Sequence, residues 1–341
     1  MNRMRLLILV LLSSWTLVGC GASLPSGCPP ECVGAKLNNQ NLRSANLSGA
    51  QMVGAVLSDS DLVQTNLSGA NLTASRMDGV NLKNADLSNA SLTGADLSGA
   101  SLLNSLLANT DLRGANLYRA SLVQEDLSST LLSGASFQGA NMIGAKLIGK
   151  YLRGMNALDA NLSGADLNGA VLSGSVLTGA NLSGANLSGA NLVGAWINLA
   201  NLVGVNLHNA NLSGASFFGT DLTGSDLSGA QLNGAIFIGA NLSGVDLRGA
   251  DLSGALLNMP VPRNAAPDFS YQSLTGQDLK NVLSNRPQIK ILVDPTVRNL
   301  NETRIKPFLK GANIQGVVYD SKTVWPANFP IPDTAIMKNA P

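Results

Sequence analysis

From Ala35 to Met259 the apolar residues recur at a spacing that belongs neither to a helix nor to a lone strand. Leu, or an occasional Met, Phe or Ile, occupies every fifth position from Leu37 to Leu257, with Ala157 the one exception. A small residue, usually Ala, stands two positions earlier. Asn, Asp or Ser usually comes just before the Leu, Ser often just after, and Gly mostly closes the unit. At its purest the unit is Ala-Asn-Leu-Ser-Gly, as in residues 180–184 and 185–189, and it runs 45 times without insertion or deletion. A fixed short period marks a solenoid. Five matches neither the helical 3.6 nor the strand 2.0. Within one unit, however, Ala and Leu are two apart and point the same way from an extended segment. The Gly-rich junction permits a bend. Each unit is predicted to form one short side of a coil.

The departures from Leu give the number of sides. They fall at Met52, Met77, Phe137, Met142, Ala157, Ile197, Phe217 and Phe237, and positions 77, 137, 157, 197, 217 and 237 differ by multiples of 20. Four units per coil would stack these side chains on one face. Met155, large where Ala is usual, adjoins Ala157, small where Leu is usual, a swap that conserves volume. These residues resemble the pentapeptide-repeat family, over 225 of the 341 residues. The resemblance implies an all-β fold, a right-handed quadrilateral β-helix with Ala and Leu inside. Forty-five units give about 11 coils and, at ~4.8 Å per strand, a rod roughly 54 Å long. The predicted parts are residues 1–19, 20–34 as tether and N-terminal cap, 35–259 as solenoid, and 260–341 as a C-terminal region.

Residues 1–19 read as a secretory signal: Arg3 and Arg5, a short apolar run from Leu6 to Leu12, and small residues at the end. The run is shorter than the ~20 residues that span a bilayer. Leu17-Val18-Gly19-Cys20 resembles a bacterial lipobox, which implies cleavage before Cys20, a lipid on its sulfur and an extracytoplasmic, membrane-anchored protein. Cys28 and Cys32 remain. Outside the cytoplasm a disulfide is the default for a close pair, with free thiols or a metal site as alternatives. A metal needs more than two thiolates, and the single histidine, His208, is far along the chain.

After Met259 the prolines at 260, 262 and 267 break the period. Residues 275–283 are predicted as a short helix with Thr275 as N-cap, and 289–293 as a strand. Residues 309–319 briefly resume the period of five. The stretch Tyr319–Pro326 resembles a tail segment of other pentapeptide-repeat proteins, which names no activity.

Charge excludes more than it proposes. The repeats carry 10 cations and 14 anions, and residues 258–341 carry 10 and 6. A duplex-DNA mimic that binds topoisomerases, an activity the family resemblance raises, would show about 32 negative charges over this length; the repeats have a net of −4. With 4% aromatic residues and no basic cluster there is no nucleic-acid footprint. One histidine supports neither a Ser-His-Asp arrangement nor a metal cluster. Asp226 and Asp246 should stack on one outer face, where a Ca²⁺ pair competes with two solvated carboxylates, the preferred reading. The expected function is a lipid-anchored structural or protein-interaction scaffold without catalysis or cofactor, binding no nucleic acid, either monomeric or associated end to end.

Three local features follow from a 20-residue coil. Ser105, Thr110, Glu125, Thr130 and Lys150 fall on inward positions that usually hold Ala. Glu125 and Lys150 lie on adjoining sides one coil apart and are expected to form a buried ion pair, with a bulge that frees Lys150 as the rival. The Pro-rich segment with its disulfide should cross the first coil as a plug over Leu37 and Leu42. Finally, Leu158, Val176, Trp196, Leu199, Phe218, Ile236, Ile238, Leu256 and Met259 line an outward apolar strip. Residues 260–341 are expected to fold back on it, with a dimer or partner-protein face as the rival.

Overall fold

The structure, a computed structural model, describes residues 24–257, 309, 312–323, 325, 331 and 333–338. Parallel bridges link residues twenty apart, from Glu31↔Gln51 to Ile236↔Leu256, and a turn interrupts the chain in every five residues. Each coil therefore has four sides. Three backbone bonds per side hold one coil to the next: the Leu42 N–H donates to the Asp61 carbonyl (2.8 Å), Ser44 to Val63 (2.9 Å) and Asp61 to Gln40 (2.9 Å).

The unit's composition follows from this geometry. The residue before the Leu is most often Asn or Asp because its Oδ1 accepts the backbone N–H two residues on, closing the corner, as from Asn181 to Ser183 (3.1 Å) and Asp226 to Ser228 (2.9 Å). The corner then needs a positive φ, 65° at Gly184, which Gly adopts without penalty and Asn tolerates, as at Asn84 (58°). Inside, Leu and Ala are almost wholly buried along the length. Phe217 and Phe237 stack with centroids 4.7 Å apart and planes 6° from parallel. The side of Ala157 pairs with that of Phe137 through Ser136↔Asn156, so the small residue leaves room for the ring, and Met155 fills the neighbouring space.

Both ends differ from the expected boundaries. The solenoid begins at Glu31, because Cys32 occupies a central Leu-type position and its N–H donates to the Gln51 carbonyl (2.8 Å). Cys32 is bonded to Cys28, with Cα atoms 4.9 Å apart, and both join the core with Leu24 packed on them. At the other end the ladder does not stop with the repeats. Asp246 pairs with Asn313 and Asp251 with Val318, taking residues from a separation of 67 in place of 20. Leu309, Ile314 and Val317 enter the core as central and inward residues. Strand β1 (Val318–Tyr319) then pairs in parallel with β2 (Ile336–Met337), a further layer on the end. Asp320 fastens it: its Oδ1 accepts the N–H of Gly254 (2.9 Å), while the Thr323 hydroxyl reaches the Leu252 carbonyl (3.0 Å). The C-terminal residues described here thus extend and cap the coil instead of folding back on its side. The helix expected at 275–283, the strand at 289–293 and contacts between the strip and residues 258–308 lie outside the described residues.

Candidate interaction surface

The polar cluster inside the coil is where the regular ladder fails. Glu125 and Lys150 do not pair; each charge takes a separate way out between coils. The interior is filled by Leu and Ala, so neither long side chain fits across it. The Glu125 carboxylate accepts the Asn104 N–H (2.5 Å), which by the pattern belongs to the Val123 carbonyl. The Lys150 ammonium donates to the Thr130 carbonyl (2.8 Å), the acceptor that the Tyr151 N–H would use. Two bridges are absent from an otherwise continuous run, Leu106↔Asp126 and Leu131↔Tyr151, one beside each charge. Among the described residues, the N–H groups of Leu107, Asp126, Leu132, Gly134 and Tyr151 make no inter-coil backbone bond. The side carrying Glu125 has moved off the coil before it while keeping the coil after it, through Asp126↔Lys146.

Electrostatics match this geometry. Glu125 is 4% exposed, and burial pushes its carboxyl up to about 7, against the pull of the Asn104 and Ser105 groups. Lys150 is half-buried; burial lowers its pKa, and Asp126 partly restores it. Thr130 also departs from the pattern. The inward hydroxyls of Ser60, Thr65, Thr110, Thr220 and Ser225 reach the carbonyl 23 residues earlier, as Thr220 to Ile197 (2.9 Å), whereas Thr130 bonds Leu127, three before it (2.7 Å).

Large apolar side chains are exposed at the same place. Leu106 (58%), Leu131 (49%) and Tyr151 (61%) stand on ladder positions that most often hold Asn, Asp or Ser, and all three belong to the missing bridges. Leu131 and Tyr151 share one side, one coil apart; Leu106 and Ile148 (46%) lie on the adjoining side. Sequence reasoning passed over Leu106, Leu131 and Ile148. The signal was present, since each is a bulky apolar residue on an outward position.

The family profile described as "Pentapeptide repeats" matches overlapping segments that run from 31 to 156 and from 158 to 254. The chain belongs to the pentapeptide-repeat family. The single residue between the two runs is Ala157, where the central Leu is lost. Among solved structures the chain resembles HetL, a pentapeptide-repeat protein involved in heterocyst differentiation regulation from the cyanobacterium Nostoc sp. strain PCC 7120. The two are 32% identical over 69% of this chain and 92% of that one, with a TM-score of 0.28. It also resembles full-length QnrB1, a plasmid-mediated fluoroquinolone resistance protein (16% identity, 73% and 91% covered, TM-score 0.22). A third is Rfr23 from the cyanobacterium Cyanothece 51142 (25%, 43% and 86%, TM-score 0.17). No curated protein matches the chain.

On this pentapeptide-repeat solenoid the apolar strip divides in two. Ile236, Ile238 and Leu256 are only 4–6% exposed and form a cluster with Phe218, although their positions point outward. Leu158, Val176, Trp196 and Leu199 are half-buried. Met259 and the lipidation candidate Cys20 lie outside the described residues. At the start of the solenoid Cys28, Cys32, Leu37 and Leu42 are all buried in the core. Asp226 and Asp246 do stack, but Asp246 is gripped by Arg248 (2.6 Å), which holds its carboxyl below the usual range, and Asp226 accepts the Ser228 hydroxyl (2.6 Å). His208 is exposed and bonds Ser228 and Asn209 (2.8 Å each). Among the described residues no group of three or more His, Cys, Asp or Glu is placed to hold a metal, and no helix is long and apolar enough to cross a membrane.

Proposed function

We propose that this pentapeptide-repeat protein is an extracytoplasmic, lipid-anchored scaffold: a right-handed, four-sided rod of about 11 coils that holds a protein partner and performs no chemistry. The observation that carries the reading is the group Leu106, Leu131, Ile148 and Tyr151, 46–61% exposed and gathered on two adjoining sides of the rod. Apolar side chains at ladder positions leave the corner without its Asx bond, so they serve something other than the coil. The anchor rests on Arg3, Arg5 and the Leu17–Cys20 motif. The Cys28–Cys32 disulfide supports an oxidising compartment. The repeat's small net charge argues against a nucleic-acid mimic.

Fractionation with radiolabelled palmitate tests the anchor. The wild-type protein is expected in the membrane fraction carrying label, and Cys20→Ser is expected to lose both; unlabelled protein in the cytosol would overturn it. Cross-linking from the anchored rod tests the surface. A specific adduct should form with the wild type and disappear in Leu131→Asp/Tyr151→Asp, while Val203→Asp, on another side, should retain it.

A further inference from the structure

At Glu125 the solenoid has a carboxyl group on an inward position that most often holds the methyl of Ala. Glu125 is buried, its side chain occupies the gap between two coils, and the bonds that should span that gap are missing. Among the described residues no counter-charge pairs with it. From the coil before, the Asn104 N–H donates to it (2.5 Å) and Ser105 lies near it, with the Ser105 N–H bonded to the Leu102 carbonyl (2.9 Å) and its hydroxyl without a hydrogen-bond partner among the described residues. On its own side the neighbouring charge is Asp126, paired at 3.8 Å with Lys146. From the coil after, Lys146 offers Glu125 only its backbone N–H, to the Glu125 carbonyl (2.9 Å), and the Lys150 ammonium sits on the Thr130 carbonyl.

We propose that this coil is a proton-operated hinge in the rod: release of the Glu125 proton to solvent parts the facing sides 104–110 and 125–135, and uptake of a proton closes them. The neutral carboxyl suits the closed gap. It accepts from Asn104 and has an O–H to donate, and the Ser105 carbonyl, left by the Asp126 N–H, is an acceptor in the same gap. The carboxylate has no such fit. A buried charge with no cation must be hydrated, and the route for water runs between these coils, where the bonds are already lost. The burial-raised pKa of about 7 places the transition near neutral pH. Elsewhere the three bonds per side per coil keep the rod stiff. The inference does not depend on the scaffold reading, since it needs no partner and no anchor.

Hydrogen exchange on the intact chain tests it. For a carboxyl shifted from its ordinary value to about 7, opening should grow roughly ten- to thirty-fold between about pH 5.5 and 8.5, after correction for intrinsic exchange. Amides of 104–135 should lose that much protection in the wild type, while those of 161–211 stay level. Glu125→Gln, which keeps the shape and the neutral state, should stay protected throughout. Constant protection of 104–135 in the wild type would overturn the hinge, as would an equal loss in Glu125→Gln.

Discussion

Residues 161–216 and residues 104–156 are built from the same five-residue unit, yet they treat the inward small position in opposite ways. In the first stretch it holds Ala, Ser or Val, every ladder bond is made, and Asn and Asp close the corners. In the second it holds Glu125 and Lys150, and the ladder opens on two adjoining sides. The difference is one of volume before it is one of charge. A charged side chain as long as Glu or Lys does not cross a core packed with Leu, so it leaves between coils and takes over a backbone group as it goes. Stiffness in this solenoid therefore depends on the smallest residue of the unit.

The largest effect that sharpens this contrast is expected in the regular part. Phe217→Ala removes one ring of the stack with Phe237 and should destabilise by about 3–5 kcal/mol in chemical denaturation. A loss below ~1 kcal/mol would mean that the coils relax into cavities there too, and the contrast would fail.

Repairing the opened part comes next. Glu125→Ala and Lys150→Ala each replace a charge by the residue the unit normally carries, and together they should stabilise by about 1–4 kcal/mol at pH 8. Because the two charges have separate partners, a double-mutant cycle should give additivity within ~0.5 kcal/mol. A large coupling energy would restore the ion pair. The gain from Glu125→Ala should also depend on pH. The folded pKa lies above the ordinary 4.5, so the wild type is least penalised below 4.5 and loses stability as pH rises to about 7.

The smallest effect compares two hydroxyls. Thr220→Ala removes a bond to the coil before it and should cost about 1 kcal/mol, whereas Thr130→Ala removes a bond within its own turn and should cost less. Equal losses in thermal unfolding would show that the displaced side is held as firmly as a regular one.

The amino-acid sequence made the coil legible because its signal is periodic. The column of Met77, Phe137, Phe217 and Phe237 counts the sides without reference to coordinates. What it concealed were departures from the period. Cys32 draws the eye as a thiol near Cys28, although it stands five residues before Leu37 and so in the Leu register. The positions of Glu125 and Lys150 were readable, but column geometry says which side chains are near and not whether there is room between them. Residues 309–319 showed their period openly. Which ladder they would join depended on a return across a long interval, and no local pattern encodes that.

That return has a consequence for how the molecule is made. Asn313 and Val318 complete the edge left by Asp246 and Asp251, and a loop about three times the usual length adds only ~1 kcal/mol to the entropy of closure. Thermodynamically the detour is minor. In time it is not: a chain that emerges N-terminus first can stack coil upon coil as it appears, yet its growing tip stays unpaired until residues 313–318 have been synthesised. An incomplete chain ending before residue 309 would present a bare strand edge of the kind that recruits neighbours. The arrival of residues 309–318 therefore decides whether the rod ends or is extended by another molecule.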